Sequence, residues 1–475
     1  MTKPKKPRTE MGPKTPAAGN AGAPSHRSAG KKRRPPQRSA ERDSKRNPDS
    51  AEDPKPTAAG SVGARISRRS ADRLRAGHVW VYASDVESLE LGEGEPPALL
   101  PVADNRGILM GTALYSPTSQ IALRLVSHEA IGEEQWLRLL ESQLRAAIAW
   151  RRAMLSEDTD ACRLCFSEAD ELPGLMVDKY GELIILQLLT KGQDSVQVRE
   201  TCVRVLRDEL DPMAIVERPD PRVRELEGLP APSSEALYLR AAGNQQRKKL
   251  EAGAALSTQF RLNGIRFQYD ANSGQKTGAF LDQRMNYVAA RDWAQKLGAT
   301  RRALDVCTYQ GGFALHLAQV CDAVTGIDAS HASLEVAEQN LAANREHLKG
   351  EVDWVAGDAF QILRDWSDAA EKFDTIVLDP PAFAKTQRAV EGALRGYKEL
   401  NLRALKMVKA GGLLVTCSCS HHVGWKDLVG AVAAAASDAQ RRVRVLERRG
   451  AALDHPVVLN IPETEYLKCL VLEVE

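Results

Sequence analysis

Apolar and polar positions change rhythm three times along the 475-residue chain, and each change suggests a boundary. Residues 1–61 hold few apolar positions and no period, which predicts a disordered tail. Between 62 and 130 short apolar runs at 99–103, 108–114 and 120–126 are broken by DNRG and SPTS, predicting a small β-rich domain. Helical spacing follows at about 133–154, then LMVDKY and LIILQLL flank Tyr180-Gly181-Glu182 as a hairpin. A helix over 194–210 and strands near 213–218, 236–241 and 265–269 complete an α+β middle domain, 131–272. From 273 to 475 strand and helix alternate: helix 281–297, strand 302–306, helix 312–320, strand 323–328, helix 331–346, strand 352–358, helix 359–366, strand 375–379, helix 391–410 and strand 413–418. The fold class is therefore α/β, a doubly wound sheet with parallel connections. Ligands of such sheets bind beyond the carboxyl ends of the strands.

Charge sharpens the picture at the N-terminus. Residues 1–60 carry 15 Lys+Arg against 6 Asp+Glu, so the remaining 415 carry 50 against 57. A basic tail on a mildly acidic body favours a polyanionic partner, with RNA first among them; a purely solubilising tail is the plainer alternative. Arg68, Arg69, Arg73, Arg75 and His78 lie close in sequence to Trp80 and Tyr82, a mixture suited to phosphates and stacked bases. A core Trp80 with a solvated arginine edge fits the same residues. No apolar run of about 20 residues and no secretory h-region occur, so the expectation is a cytoplasmic location with no membrane partner. The eight cysteines form no disulfide framework. Cys162 and Cys165 make a single CxxC with no second pair nearby, so no metal site is expected there.

The strand ends carry the chemistry. DVCTYQGGF places Asp305, Tyr309, Gly311 and Gly312 where a strand turns into a helix, a loop whose glycines admit a ligand and whose amides favour polar groups. GxGxxG is absent, which argues against a dinucleotide and for a smaller cofactor, S-adenosylmethionine. Asp328 in GIDAS is placed to accept from ribose hydroxyls, and Asp358 in GDAF to accept from an adenine amine. Either aspartate alone could be a helix N-cap. LDPPAF follows the fourth strand: Pro380 and Pro381 fix the backbone, Asp379 and the loop carbonyls face a planar base, and Phe383 offers a stacking face. TCSCS puts Cys417 and Cys419 on one face of the next strand, with Cys419 nearer the cleft. Cytosine C5 becomes nucleophilic only after a thiolate adds at C6, whereas a ring nitrogen needs no covalent step. A cleft cysteine thus favours carbon methylation. Cys417 and Cys307 are read as small buried side chains, and Glu168 and Asp170 as turn formers.

From about Ile66 onward the chain resembles the bacterial large-subunit ribosomal RNA cytosine-5 methyltransferases. Besides these loops, the resemblance rests on YSPTSQIALRLVS (115–127), EADELPGLMVDKYG (168–181), KTGAFLDQRMN (276–286), GYKELN (396–401) and DHPVV with PETEYLK (454–468). It implies an N-terminal PUA domain, a Rossmann-like class I methyltransferase domain, S-adenosylmethionine as cofactor and 23S-type large-subunit rRNA as partner. It further implies that Phe280, Asp282, Gln283 and Arg284 border the cofactor, Arg284 near its carboxylate, and that Cys419 is the nucleophile. The family's FSYTGGF reads CTYQGGF here, with Cys307 and Gln310 substituted, and His421-His422 follow SCS where relatives often have glycine. A guanine-nitrogen rRNA methyltransferase shares the Asp-Pro-Pro loop and remains the enzymatic alternative. A non-catalytic RNA-binding assembly factor is the other. A homodimer is compatible with the sequence but not required by it.

Overall fold

Seven strands form the C-terminal sheet: β1 (Arg302–Val306), β2 (Ala323–Asp328), β3 (Glu351–Ala356), β4 (Phe373–Leu378), β5 (Val408–Ser418), β6 (Val443–Arg449) and β7 (Lys468–Val474). The computed structural model describes residues 63–94, 96–233, 235–240, 256–271 and 279–475. The basic tail 1–61, the start of the KTGAFLDQR segment at 276–278 and the 272/273 boundary lie outside those residues. The sheet order is β3-β2-β1-β4-β5-β7-β6. The first five strands run parallel, as the alternation predicts, and β7 enters antiparallel between β5 and β6. That reversed strand, β6 and the helix before them had no counterpart among the strands and helices expected from the sequence, the last of which ended at residue 418. Strand order reverses between β1 and β4, so their loops part and open a crevice at the carboxyl edge.

Helices α1 (Arg284–Leu297), α2 (Gly312–Ala318), α3 (His331–Asn344), α4 (Ala359–Asp368), α5 (Val390–Met407) and α6 (Trp425–Asp438) cover both faces. Alternate strand residues feed two cores. Ala303, Val324, Val377, Val415 and Val471 pack with Tyr287 and Phe313; Leu304, Ile327, Ile376 and Leu414 pack with Tyr397, Leu400 and Leu428. Burial on both faces explains the nearly unbroken apolar runs of the central strands.

The N-terminal domain is a six-stranded sheet of Trp80–Tyr82, Ile121–Ser127, Leu109–Tyr115, Leu99–Ala103, Gly63–Ile66 and Val86–Glu90, in that order. Three of these strands match the predicted runs within one residue. The basic stretch itself is a helix, Arg68–Arg75, capped by Ser67, whose hydroxyl accepts from the Ser70 amide. It buries only Ser70, Ala71 and Leu74, too small an apolar face to show as a period. The middle domain carries a five-stranded sheet flanked by helices Glu133–Arg152 and Val196–Leu210. A separate hairpin, Ser257–Leu262 with Ile265–Asp270, spans two domains. Tyr269 stacks on Tyr180 of the middle domain, while the Arg266 and Gln268 amides donate to Asn344 and Asn340 of α3.

Candidate active site

The cofactor side is built by carboxylates that hold backbone. Asp328, at the end of β2, accepts the Tyr309 amide on one oxygen and the Ser330 amide on the other, each at 2.9 Å. Second lone pairs on both oxygens remain for hydroxyl donors. Asp305, at the end of β1, is fully buried, and its Oδ2 accepts from Thr308 Oγ1 at 2.6 Å and the Ala314 amide at 2.9 Å. Burial pushes its carboxyl up to about 7, against those two donors, and its Oδ1 has no hydrogen-bond partner. The loop between them is tightly wound: Cys307, Tyr309 and Gly311 all have positive φ, at 64°, 52° and 86°. Only Gly311 adopts such a value without a side-chain penalty. Gly312 opens the following helix, and a Cβ there would come within 2.5 Å of the Tyr287 ring, so glycine is required for this close approach at the edge of the cleft.

A narrow cleft opens beside this loop, lined by Phe280, Cys307, Tyr309, Phe313 and Asp379 among others. Aromatic walls with the Asp379 carboxyl among them suit an adenosine bearing a cationic sulfonium, and Asp305, two residues before Cys307 of that lining, keeps a buried acceptor oxygen unpartnered. The residues fit S-adenosylmethionine. Asp358 caps α4 by accepting the Gln361 amide at 2.9 Å, so one of its oxygens is already committed.

The base side is built differently. Asp379 follows β4 and receives one side-chain donor, Gln283 Nε2 at 2.9 Å on Oδ1. Burial, with Asp282 and Asp305 nearby, pushes its carboxyl up to about 8, so it is largely protonated at neutral pH. Cys419 sits one residue past β5, half-buried, with Sγ 4.0 Å from the Pro380 carbonyl oxygen. Thiol and carboxyl therefore share the Asp-Pro-Pro loop. The serines either side of Cys419 are fixed from α5: Ser418 Oγ donates to the Tyr397 hydroxyl at 2.8 Å, and Ser420 Oγ lies 3.1 Å from it. Ser420 Oγ also accepts the Ala384 amide of the Asp-Pro-Pro loop at 3.3 Å. Cys417 is fully buried and faces Cys469 across the β5–β7 pair. Pro381 is exposed, and the Phe383 ring packs on Tyr397 and Phe360 at 4.9 and 5.9 Å between centroids.

Two cofactor assignments need correction. Arg284 is 4 % exposed and points at Asp454, with Nη2 and Nε 3.3 and 3.4 Å from Oδ1, so it does not stand ready for a cofactor carboxylate. A buried guanidinium requires such a partner. Burial would raise the Asp454 carboxyl, but His455, Arg284 and the Arg163 amide hold it well below the usual carboxylate range. Arg151 pairs with Asp170 at 2.7 Å and donates to the Asp454 carbonyl, so these groups clasp the middle domain to the catalytic one. Gln283 in turn is spent on Asp379 and on Asn286, whose amide donates to its Oε1 at 2.7 Å. It positions the Asp379 carboxyl.

In the N-terminal domain the basic cluster divides. Arg73 binds Asp85 and the Trp80 carbonyl, Arg75 binds Asp72 and Asp104, and His78 meets Glu463 at 3.1 Å. Trp80 is half-buried and donates Nε1 to Glu168 at 2.8 Å, a domain contact and not an open stacking platform. Arg68 and Arg69 stay exposed; Arg68 makes only a 3.8 Å contact to Asp72. Sequence reasoning missed three residues in the catalytic cleft: Tyr397, Tyr466, whose hydroxyl donates to Asp282 at 2.6 Å, and Lys468. All three lie in stretches that carried the family resemblance, which was the one available signal. Cys162 and Cys165 are fully buried, and no cluster of three metal-ligating side chains occurs among the described residues.

Residues 246–460 match the model of the S-adenosylmethionine-dependent methyltransferase family, and residues 64–128 that of a PUA-like domain. The fold agrees. A putative methyltransferase solved in complex with SAH superposes with a TM-score of 0.70 at 19 % identity, over 87 % of this chain and 100 % of that one. A putative SAM-dependent methyltransferase from Streptococcus mutans gives 0.69 at 18 %, with the same coverages. The protein is an S-adenosylmethionine-dependent methyltransferase with an N-terminal PUA-like domain. Among curated relatives, the ribosomal RNA large subunit methyltransferase I of Erwinia tasmaniensis is 35 % identical over 397 residues, 82 % of this chain and 94 % of the relative. That of an Escherichia coli O127:H6 strain is 34 % identical over 393 residues, with the same coverages. The chain belongs to the ribosomal RNA large subunit methyltransferase I family.

Proposed function

We propose that this enzyme methylates C5 of a cytosine in large-subunit ribosomal RNA, in the cytoplasm, through a covalent bond between Cys419 and C6 of the base. The observation that carries the reading is the placement of a half-buried thiol against the same Asp-Pro-Pro loop that presents a neutral carboxyl. Bound S-adenosylmethionine, held by Asp328 and the loop amides with Asp305 and Asp358 beside it, supplies an electrophilic methyl group. The chain's own residues do the rest. Asp379, protonated in its buried setting, donates a hydrogen bond to N3 and draws electron density from the ring. The Cys419 thiolate adds at C6, the C5=C6 electron pair becomes available at C5, and C5 takes the methyl group. Loss of the C5 proton restores the double bond and expels the thiolate. The Pro380 carbonyl, next to Cys419, offers an acceptor for an exocyclic amine of the base. Arg68 and Arg69 supply phosphate contacts from the PUA-like domain.

Digestion of methylated rRNA to nucleosides tests the chemistry. The expected product is 5-methylcytidine, formed by the wild type and lost in Cys419→Ala. A methylated guanosine, or transfer that persists without the thiol, would support the guanine-nitrogen alternative instead.

A further inference from the structure

The cleft holds a cation that the reaction as described does not use. β7 pairs with β5 so that Lys468 stands opposite Ser418. Lys468 is 2 % exposed, and its Nζ donates to the Ser420 carbonyl at 2.8 Å and the Tyr466 carbonyl at 2.7 Å. The ammonium is thereby pinned to the residue that follows Cys419. Among the described residues no carboxylate lies within ion-pairing distance of it. Carbonyl dipoles alone compensate a buried charge incompletely. A chain retains such a group at a reaction centre when another charge repays it, and an apolar residue would otherwise fill a β-strand position of this kind.

The missing charge is next door. Burial disfavours the Lys468 ammonium, and Cys419 is the strongest of the neighbours that favour it, ahead of Glu465 and Asp427. Tyr397 from α5 and Lys468 from β7 act on the thiol directly, and the other titratable groups at this end are Asp379 from the loop after β4 and His421 and His422 from the thiol's own loop. Asp379 and Tyr397 are both held in their neutral forms near pH 7, so neither supplies a positive charge. Burial, with Lys468 and His422 nearby, disfavours the charged form of His421, and His422 is exposed, whereas Lys468 acts from a buried and fixed position.

We propose that Lys468 is a positioning residue that stabilises the Cys419 thiolate, so that the thiol loses its proton to solvent more readily and re-forms as a better leaving group when the adduct collapses. This rests on Cys419 being the nucleophile. The same cation accounts for two geometric facts, since its bonds to Ser420 and Tyr466 also hold the Cys419 loop against the strand that ends at the cleft.

The test reads the thiol directly, without RNA. Rates of iodoacetamide modification at Cys419 are followed by mass spectrometry across the neutral-to-alkaline range for wild type, Lys468→Met and Lys468→Arg. Thermal unfolding and S-adenosylhomocysteine binding serve as fold controls. Lys468→Met is expected to move the alkylation profile about one pH unit upward, cutting the rate at neutral pH about tenfold, and Lys468→Arg to restore it. A wild-type profile in folded Lys468→Met overturns the proposal. If Lys468→Met does not fold, Lys468→Arg decides alone: a profile at the wild-type position supports the role of charge, and an upward displacement of about tenfold in rate contradicts it. Because the readout needs no methyl transfer, a shifted profile alongside an active Cys419→Ala enzyme would overturn the covalent mechanism while leaving the electrostatic pairing intact.

Discussion

The two halves of the cleft are built by opposite means. On the cofactor side, Asp328 and Asp305 receive four donors between them, three of them backbone amides, and the loop they hold is wound through positive φ angles. On the base side, Asp379 receives a single amide from Gln283, and Cys419 rests near a carbonyl. The first arrangement spends carboxylates on rigidity, so that a small cofactor meets a finished surface. The second encloses a carboxyl beside Asp282 and Asp305, which keeps the acid neutral, and leaves a half-buried thiol next to the same loop. Aspartate at a strand end is thus no role in itself; the groups around it decide.

This contrast can be broken at several points. The largest effect is expected at Asp379. Asp379→Asn keeps a donor but not an acid, and methyl transfer should fall about 10²- to 10⁴-fold while cofactor binding, measured by calorimetry, stays near wild type. Equal losses in both would place Asp379 on the cofactor side. On that side, Asp328→Ala should weaken S-adenosylmethionine binding by roughly 10- to 100-fold, since it removes a charged acceptor from both hydroxyl and amide donors. An unchanged Kd would take Asp328 out of the cofactor site. Stability should separate the halves too. The folded-state carboxyls of Asp379 and Asp305 are raised to about 8 and about 7, from an ordinary value of 3.8. Their contribution is fully present below about pH 4 and is lost as pH rises through 7 to 8. Denaturant unfolding should show wild-type stability declining across that window and Asp379→Asn declining less; parallel curves would contradict the burial argument. Smallest of all, Arg68→Ala and Arg69→Ala should each reduce the salt slope of RNA binding by about one, with cofactor affinity unchanged.

Local chemistry was legible in the sequence wherever a motif and its partner lie close together. Asp305, Thr308 and the α2 amides fall within ten residues, and the strand-to-helix turn they make is visible as DVCTYQGGF. Asp379 and Cys419 could be placed because each ends a strand with a clear apolar run. Arg284 could not, since its partner Asp454 is 170 residues away and nothing local distinguishes a buried arginine from one that awaits a ligand. Gly312 was legible as a point of close approach, but the sequence could not show that the Tyr287 ring is what packs against it. The cations at 73, 75 and 78 look alike in sequence to those at 68 and 69, and only tertiary contacts with Asp85, Asp104 and Glu463 divide them.

The covalent role of Cys419 is the claim on which the rest depends, and 5-fluorocytosine-substituted rRNA tests it most directly. Fluorine at C5 leaves no proton to lose, so the thiol cannot be expelled after methyl transfer. Wild-type enzyme with S-adenosylmethionine should remain attached to the RNA on a denaturing gel, and Cys419→Ala should not. Absence of the adduct in a wild-type enzyme that still methylates unsubstituted rRNA would contradict the account.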